Sequence, residues 1–96
     1  MRRRAARIDA NQPVIVEAAR QLGATVWITA DLGNGGPDLV IGWRGLNYLV
    51  EVKDAAKPPS ARKLTSAERE FHDQWRGQVV VVESVDDLVR LIQGAQ

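Results

Sequence analysis

Three residues of this sequence are of types, and at spacings, that could do chemistry together: Asp38, Glu51 and Lys53. Asp38 follows Pro37 at the start of an apolar run. Glu51 and Lys53 stand two apart in Tyr48-Leu49-Val50-Glu51-Val52-Lys53, a segment otherwise almost wholly apolar. Residues 38–43 and 47–53 read as two strands joined through Arg44-Gly45-Leu46, which is hairpin spacing. If Arg44 and Gly45 are the turn, Trp43 faces Leu46, Ile41 faces Tyr48 and Asp38 faces Glu51. Directly opposed residues point to one face, with Cβ atoms about 5 Å apart. Lys53 shares that face because it lies two residues beyond Glu51. A turn one residue longer would make the pair diagonal and keep all three close. Two carboxylates so placed repel unless a cation lies between them or one is protonated. A hard, oxygen-seeking ion such as Mg²⁺ or Mn²⁺ answers that repulsion. With an ammonium beside it, such a site suits metal-assisted phosphodiester hydrolysis. Taken singly, Glu51 and Lys53 read first as ordinary exposed alternation and Asp38 as a turn residue after Pro37. Buried charges that interrupt an apolar strand are costly unless paired, so it is the set that carries the reading.

The elements that must position these residues follow from periodicity and punctuation. Asn11 is placed to cap a first helix, with Pro13 in its first turn and Val14, Ile15, Ala18, Ala19 and Leu22 at helical spacing. Gly23 ends it. Residues 24–29 are β-branched and aromatic, hence a strand, and residues 31–37 are a glycine-rich loop. After the hairpin, residues 54–62 contain Pro58-Pro59 and form a loop. Thr65 and Glu68 make a capping box for a helix running to about Trp75, with Leu64 as staple. Residues 78–83 hold four consecutive valines and predict a strand covered on both faces. Ser84 and Asp87 cap a last helix. The order is helix, strand, strand, strand, helix, strand, helix. This predicts an α/β fold with a four-stranded mixed sheet flanked by helices, the middle helix being a crossover.

Composition narrows the function classes. The chain has 96 residues, 45% hydrophobic and 26% charged, which predicts one globular domain over 11–96 after a basic arm over 1–10. It has no cysteine, which excludes disulfides and thiolate chemistry, and one histidine, which excludes a histidine metal cluster within the chain. No apolar stretch is long enough to cross a bilayer, and the basic start lacks an apolar signal core, so a cytoplasmic protein with no membrane partner is expected. Residues 1–63 carry ten Lys/Arg against six Asp/Glu, and residues 64–96 three against six. The basic residues gather in Arg2, Arg3, Arg4 and Arg7, and around Lys57, Arg62 and Lys63. These are candidate contacts to a polyanion, and equally a solvated tail and loop. Gly33-Asn34-Gly35-Gly36 has no phosphate-loop lysine and opens no helix, so no nucleotide cofactor is expected. Trp27, Trp43, Trp75 and Phe71 read as core or dimer-interface residues, and His72 as a surface helix residue.

Gly36-Pro37-Asp38 followed by Glu51-Val52-Lys53 resembles the PD-(D/E)XK nuclease superfamily, whose core is the restriction-endonuclease-like αβββαβ arrangement. The glycine-rich loop, the Glu-Val-Lys strand and the Leu64-Thr65-x-x-Glu68-Arg69-x-Phe71 segment look most like its VRR-NUC group, the virus-type replication-repair nucleases, in their short stand-alone phage form. The resemblance covers nearly the whole chain. It implies that Asp38, Glu51 and the backbone carbonyl of Val52 bind Mg²⁺ or Mn²⁺, and that Lys53 positions or activates the attacking water. Glu17 matches an acidic position that often completes the metal site, and reads equally as a solvated helix residue. The family often has glutamine where this chain has Glu68, which the capping box already occupies. The resemblance further implies a homodimer in a bacterial or phage-infected cell that cuts branched DNA such as Holliday junctions. The competing reading is a catalytically silent nucleic-acid-binding or assembly module that retains the fold.

Overall fold

A computed structural model describes residues 8–94 of the chain. The elements run α1 (Gln12–Gln21), β1 (Thr25–Ile28), β2 (Leu39–Trp43), β3 (Leu46–Val52), α2 (Ser66–Gln74), β4 (Val79–Val82) and α3 (Val85–Gln93). Single 3₁₀ turns at Ala30–Leu32 and Pro59–Ala61 break the two long loops. The sheet order is β1-β2-β3-β4, with the first three strands antiparallel and β4 parallel to β3. A parallel neighbour requires a crossover, and α2 supplies it. The architecture is the α/β fold expected, with a mixed four-stranded sheet, flanking helices and a C-terminal helix.

The hairpin register is the one that a two-residue turn dictates. Trp43 pairs with Leu46, Ile41 with Tyr48 and Leu39 with Val50. Arg44 and Gly45 have φ of 49° and 80°. Two successive positive values make the type I′ turn whose twist matches the strands it joins. Because side chains alternate along a strand, a slip of one residue here would turn every β3 side chain to the opposite face.

One face of the sheet is closed and the other is open. Leu39, Ile41, Tyr48, Val50, Val52 and Val82 pack against Ile15, Val16 and Ala19 of α1 and Leu88 and Ile92 of α3. Each fully buried aliphatic side chain contributes about 1.5–3 kcal/mol. The opposite face meets α2, none of whose residues is buried. The expectation that β4 is covered on both faces therefore fails: Val81, on the α2 side, is 39% exposed at the sheet edge. Trp27 and Trp75, read as core or interface residues, are 64% and 46% exposed. Trp43 does pack against the core. His72 is half-buried rather than a free surface residue.

Asn11 departs from its expected role as a cap. Its own backbone is already helical, with φ −83° and ψ −8°, and its side chain makes no capping bond. The capping box of α2 forms as expected, with Thr65 Oγ1 accepting from the Glu68 N–H and Glu68 accepting from the Thr65 N–H. Ser84 caps α3 through the Asp87 N–H. No helix among the described residues is long and apolar enough to cross a membrane.

Gly45→Ala places a Cβ in the left-handed region and is expected to cost about 1–2 kcal/mol. Urea unfolding followed by circular dichroism should show a lower midpoint; an unchanged midpoint would contradict the turn assignment.

Candidate active site

Asp38 sits immediately before β2 and is held at three points. Its N–H donates to the Val50 carbonyl at 3.0 Å, and its carbonyl accepts from the Thr29 N–H at 2.7 Å. Its Oδ2 accepts from the Val52 N–H at 2.8 Å. The Thr29 hydroxyl also donates to the Pro37 carbonyl at 2.8 Å, fixing the chain just before the aspartate. The carboxylate thus has no freedom to swing away from β3. Glu51, near the end of β3, is buried at 2% exposure and lies beside Val81 of β4. Lys53, one residue past the strand, is 8% exposed. These residues line a cleft of about 390 Å³ with Asp9, Val52, Lys57, Thr65 and Glu68.

The electrostatics follow from burial. Desolvation, then the charge and hydrogen bonding of Asp38, push the Glu51 carboxyl up to about 10 from its ordinary 4.5. Burial also raises Asp38, against the opposing help of the Val52 N–H. Burial works against the Lys53 ammonium too. The hydrogen bond and charge of Glu68 and the charge of Glu51 outweigh it, so Lys53 stays above its ordinary value. The ammonium is 2.8 Å from Glu68 Oε1 and 3.8 Å from Glu51 Oε2. Glu68, desolvated yet bonded to Lys53 and the Thr65 N–H, is held below the usual carboxylate range.

This donor set fits a hard divalent cation. Glu51 Oε1 is buried with no hydrogen-bond partner, beside a second carboxylate that is itself disfavoured as an anion. A cation between them would relieve both penalties. Among the described residues no group of three or more His, Cys, Asp or Glu side chains is disposed around one point. Mg²⁺ is commonly held by one or two carboxylates and otherwise by water.

The other sequence candidates are placed differently. Glu17 is exposed, accepts from Gln21 Nε2 at 3.1 Å and does not line the cleft. Asp9 lines the cleft instead, although it falls in the segment read as an arm. Its Oδ1 is 2.6 Å from Lys57 Nζ. Arg62 is engaged by Glu83 at 3.3 Å and by the Lys57 carbonyl at 2.9 Å, which makes it a brace of the 54–62 loop. Lys63 is exposed. Arg2, Arg3, Arg4 and Arg7 lie outside the described residues.

Two residues act at the site in ways that sequence reasoning missed. Glu68 is both the capping-box glutamate and the anchor of Lys53, since one oxygen, Oε1, accepts from both. The family's polar residue at that position was the available signal. Asn11 Nδ2 donates to the carbonyls of Lys53 at 3.0 Å and Glu83 at 3.1 Å. It ties α1 to the point where β3 and β4 end, directly behind Lys53. No pattern in the sequence marks it.

A solved structure of a VRR_NUC domain is similar to this chain. The two share 32% sequence identity over 88% of this chain and 92% of that one, with a TM-score of 0.58. The chain belongs to the VRR_NUC family. No family model matches the sequence, and no curated protein matches it. In this VRR_NUC domain the sheet and the crossover helix bring Asp38, Glu51, Lys53 and Glu68 to one cleft.

The metal-free VRR_NUC domain should lose stability as pH rises. Folded Glu51 keeps its proton to about pH 10, whereas the unfolded residue releases it near 4.5. The native state binds more protons throughout that window, so stability present at pH 4.5 declines towards pH 10. Glu51→Gln removes this term and should raise stability in EDTA at pH 8 by at least ~1.4 kcal/mol, the equivalent of one pKa unit. Denaturant titrations at pH 5 and pH 8 test it; a Gln variant no more stable at the higher pH would refute the burial argument.

Proposed function

We infer that this VRR_NUC domain is a divalent-metal-dependent endodeoxyribonuclease. The observation that carries the reading is the half-buried Asp38 carboxylate and the buried Glu51 lining one cleft, with the Lys53 ammonium 3.8 Å from Glu51. Asp38, Glu51 and the Val52 carbonyl would hold Mg²⁺ or Mn²⁺. A metal so bound polarises the phosphate and lowers the pKa of its water.

The chain's own residues supply position and charge. Val52 fixes the Asp38 carboxylate through its N–H, and Asn11 fixes the backbone from which Lys53 projects. Lys53, kept protonated by Glu68, is a donor rather than a base. Its Nζ hydrogen-bonds a non-bridging phosphate oxygen and stabilises the charge that grows there as water attacks phosphorus and the P–O ester bond breaks. The attacking water's proton leaves to solvent through the open cleft. Lys57, which lines the cleft, and the exposed Lys63 would be contacts for further phosphates. Branched DNA and a homodimer remain the reading that the short phage forms suggest. A two-fold pair of such clefts suits the two symmetric cuts of a four-way junction.

Purified protein with Mn²⁺ or Mg²⁺ is expected to nick a labelled four-way junction. Lys53→Ala is expected to slow this at least about a hundredfold, the usual cost of removing one transition-state donor. Gel-resolved cleavage rates test both statements, and undiminished cutting by Lys53→Ala would remove the assignment.

A further inference from the structure

The carboxylate cleft does not end at Asp38 and Glu51. Two residues along each strand, on the same face, Val40 pairs with Leu49, and Trp27 of β1 pairs with Val40. This row, Trp27-Val40-Leu49, is the floor of a slot of about 350 Å³. Its far wall is Phe71 of α2 and Trp75 just past the helix end, stacked on each other with centroids 5.2 Å apart and planes inclined by 14°. Glu68 and Phe71 fall on one face of that helix, at i and i+3, and Trp75, the residue that follows the helix, stacks on Phe71. The same two strands and the same helix therefore build a charged cleft at one end and an aromatic slot at the other. The centres of the two floor rows are about 7 Å apart, two strand residues. Beside the slot, the φ of 74° at Gly35 lets the loop lie against the Ala67 carbonyl of α2, where a Cβ would collide. Asn34 stands at the rim.

We propose that this slot receives an unpaired nucleobase of the strand whose phosphate lies in the cleft. The proposal rests on the nuclease reading and names its substrate class: DNA with one or more unpaired nucleotides beside the cut, not continuous duplex. Three observations favour a base over other occupants. The slot is continuous with the cleft along a single sheet face, at a separation suited to neighbouring parts of one nucleotide strand. Its surfaces are aromatic and open to solvent, Trp27 at 64% and Trp75 at 46%, and every base offers a π-face to such rings. A second copy fits less well, because a two-fold interface sets a patch against itself, and a recess beneath a helix facing its own copy leaves a void. A base in a duplex would have to be unstacked first, at a cost of a few kcal/mol, and an already unpaired one would not.

The test is binding with Ca²⁺ in place of the catalytic ion, read by tryptophan emission, so that it does not depend on turnover. The probes are a single-stranded oligothymidylate and a fully paired duplex of equal length. Wild-type protein should show quenching with the single strand. Trp27→Ala should weaken single-strand binding about tenfold, within the range seen for loss of one stacking ring, and leave duplex binding unchanged. Trp27→Phe should restore most of it. Trp27 is largely exposed, so its replacement leaves the core intact. Equal weakening for both probes, or none for either, would overturn the proposal. So would a Trp27→Ala protein that sediments as a monomer where the wild type is a dimer, since the slot would then be a contact between copies. If the protein cut no DNA at all, the nuclease reading would fail by itself. If it cut DNA and Trp27→Ala bound single strands normally, only the slot proposal would fall.

Discussion

Two carboxylates brought together at the end of a strand pair, one of them buried, form an arrangement that a protein does not tolerate without support. Half-buried Asp38 and buried Glu51 share one such cleft, and much of the surrounding structure serves to hold them there. The type I′ turn at Arg44-Gly45 sets the register of the two strands whose ends carry them. The Val52 N–H takes one oxygen of Asp38, and Thr29 and Val50 fix its backbone. Lys53 supplies a cation within 3.8 Å of Glu51, and Glu68 keeps that cation in place. What is left over is Glu51 Oε1, buried and without a partner. A folded chain that keeps such an atom has stability to gain from a bound cation.

Much of this arrangement was legible in the sequence, because it depends on local rules. A two-residue turn between apolar strands has few possible registers, and the pairing of Leu39 with Val50, next to Asp38 and Glu51, follows from counting back from Gly45. A capping box announces α2, and a serine cap with an aspartate three residues on announces α3. What was not legible depends on contacts between distant segments. Asn11 looks like a helix cap because capping is the commonest local use of asparagine there; its bonds to Lys53 and Glu83 span 42 and 72 residues. Glu17 has the right spacing in α1, but α1 presents it to solvent, and Asp9 reaches the cleft from the preceding turn. The second role of Glu68 arises because the oxygen that closes the capping box also faces the sheet.

Exposure was the other blind spot. Aromatic residues in a short chain are ordinarily read as core. Here α1 and α3 fill one face of the sheet, and α2 stands off the other with no buried residue. Trp27, Phe71 and Trp75 consequently line an open surface. A crossover helix that leaves the sheet partly uncovered has forgone hydrophobic burial, and it does so over the charged cleft and its apolar continuation. Access to the Asp38–Glu51 pair requires that gap, so the incomplete packing and the site are two aspects of one geometry.

The claim on which the account turns is that the Asp38–Glu51 pair holds a proton only until a divalent cation replaces it. Calorimetric titration of the metal-free protein with Mn²⁺ at pH 8, repeated in two buffers of different ionisation enthalpy, measures this directly. The account predicts saturable binding that releases about one proton per ion, with both effects lost in Glu51→Gln. Saturable binding that persists undiminished in Glu51→Gln, or no binding by the wild type, would contradict it.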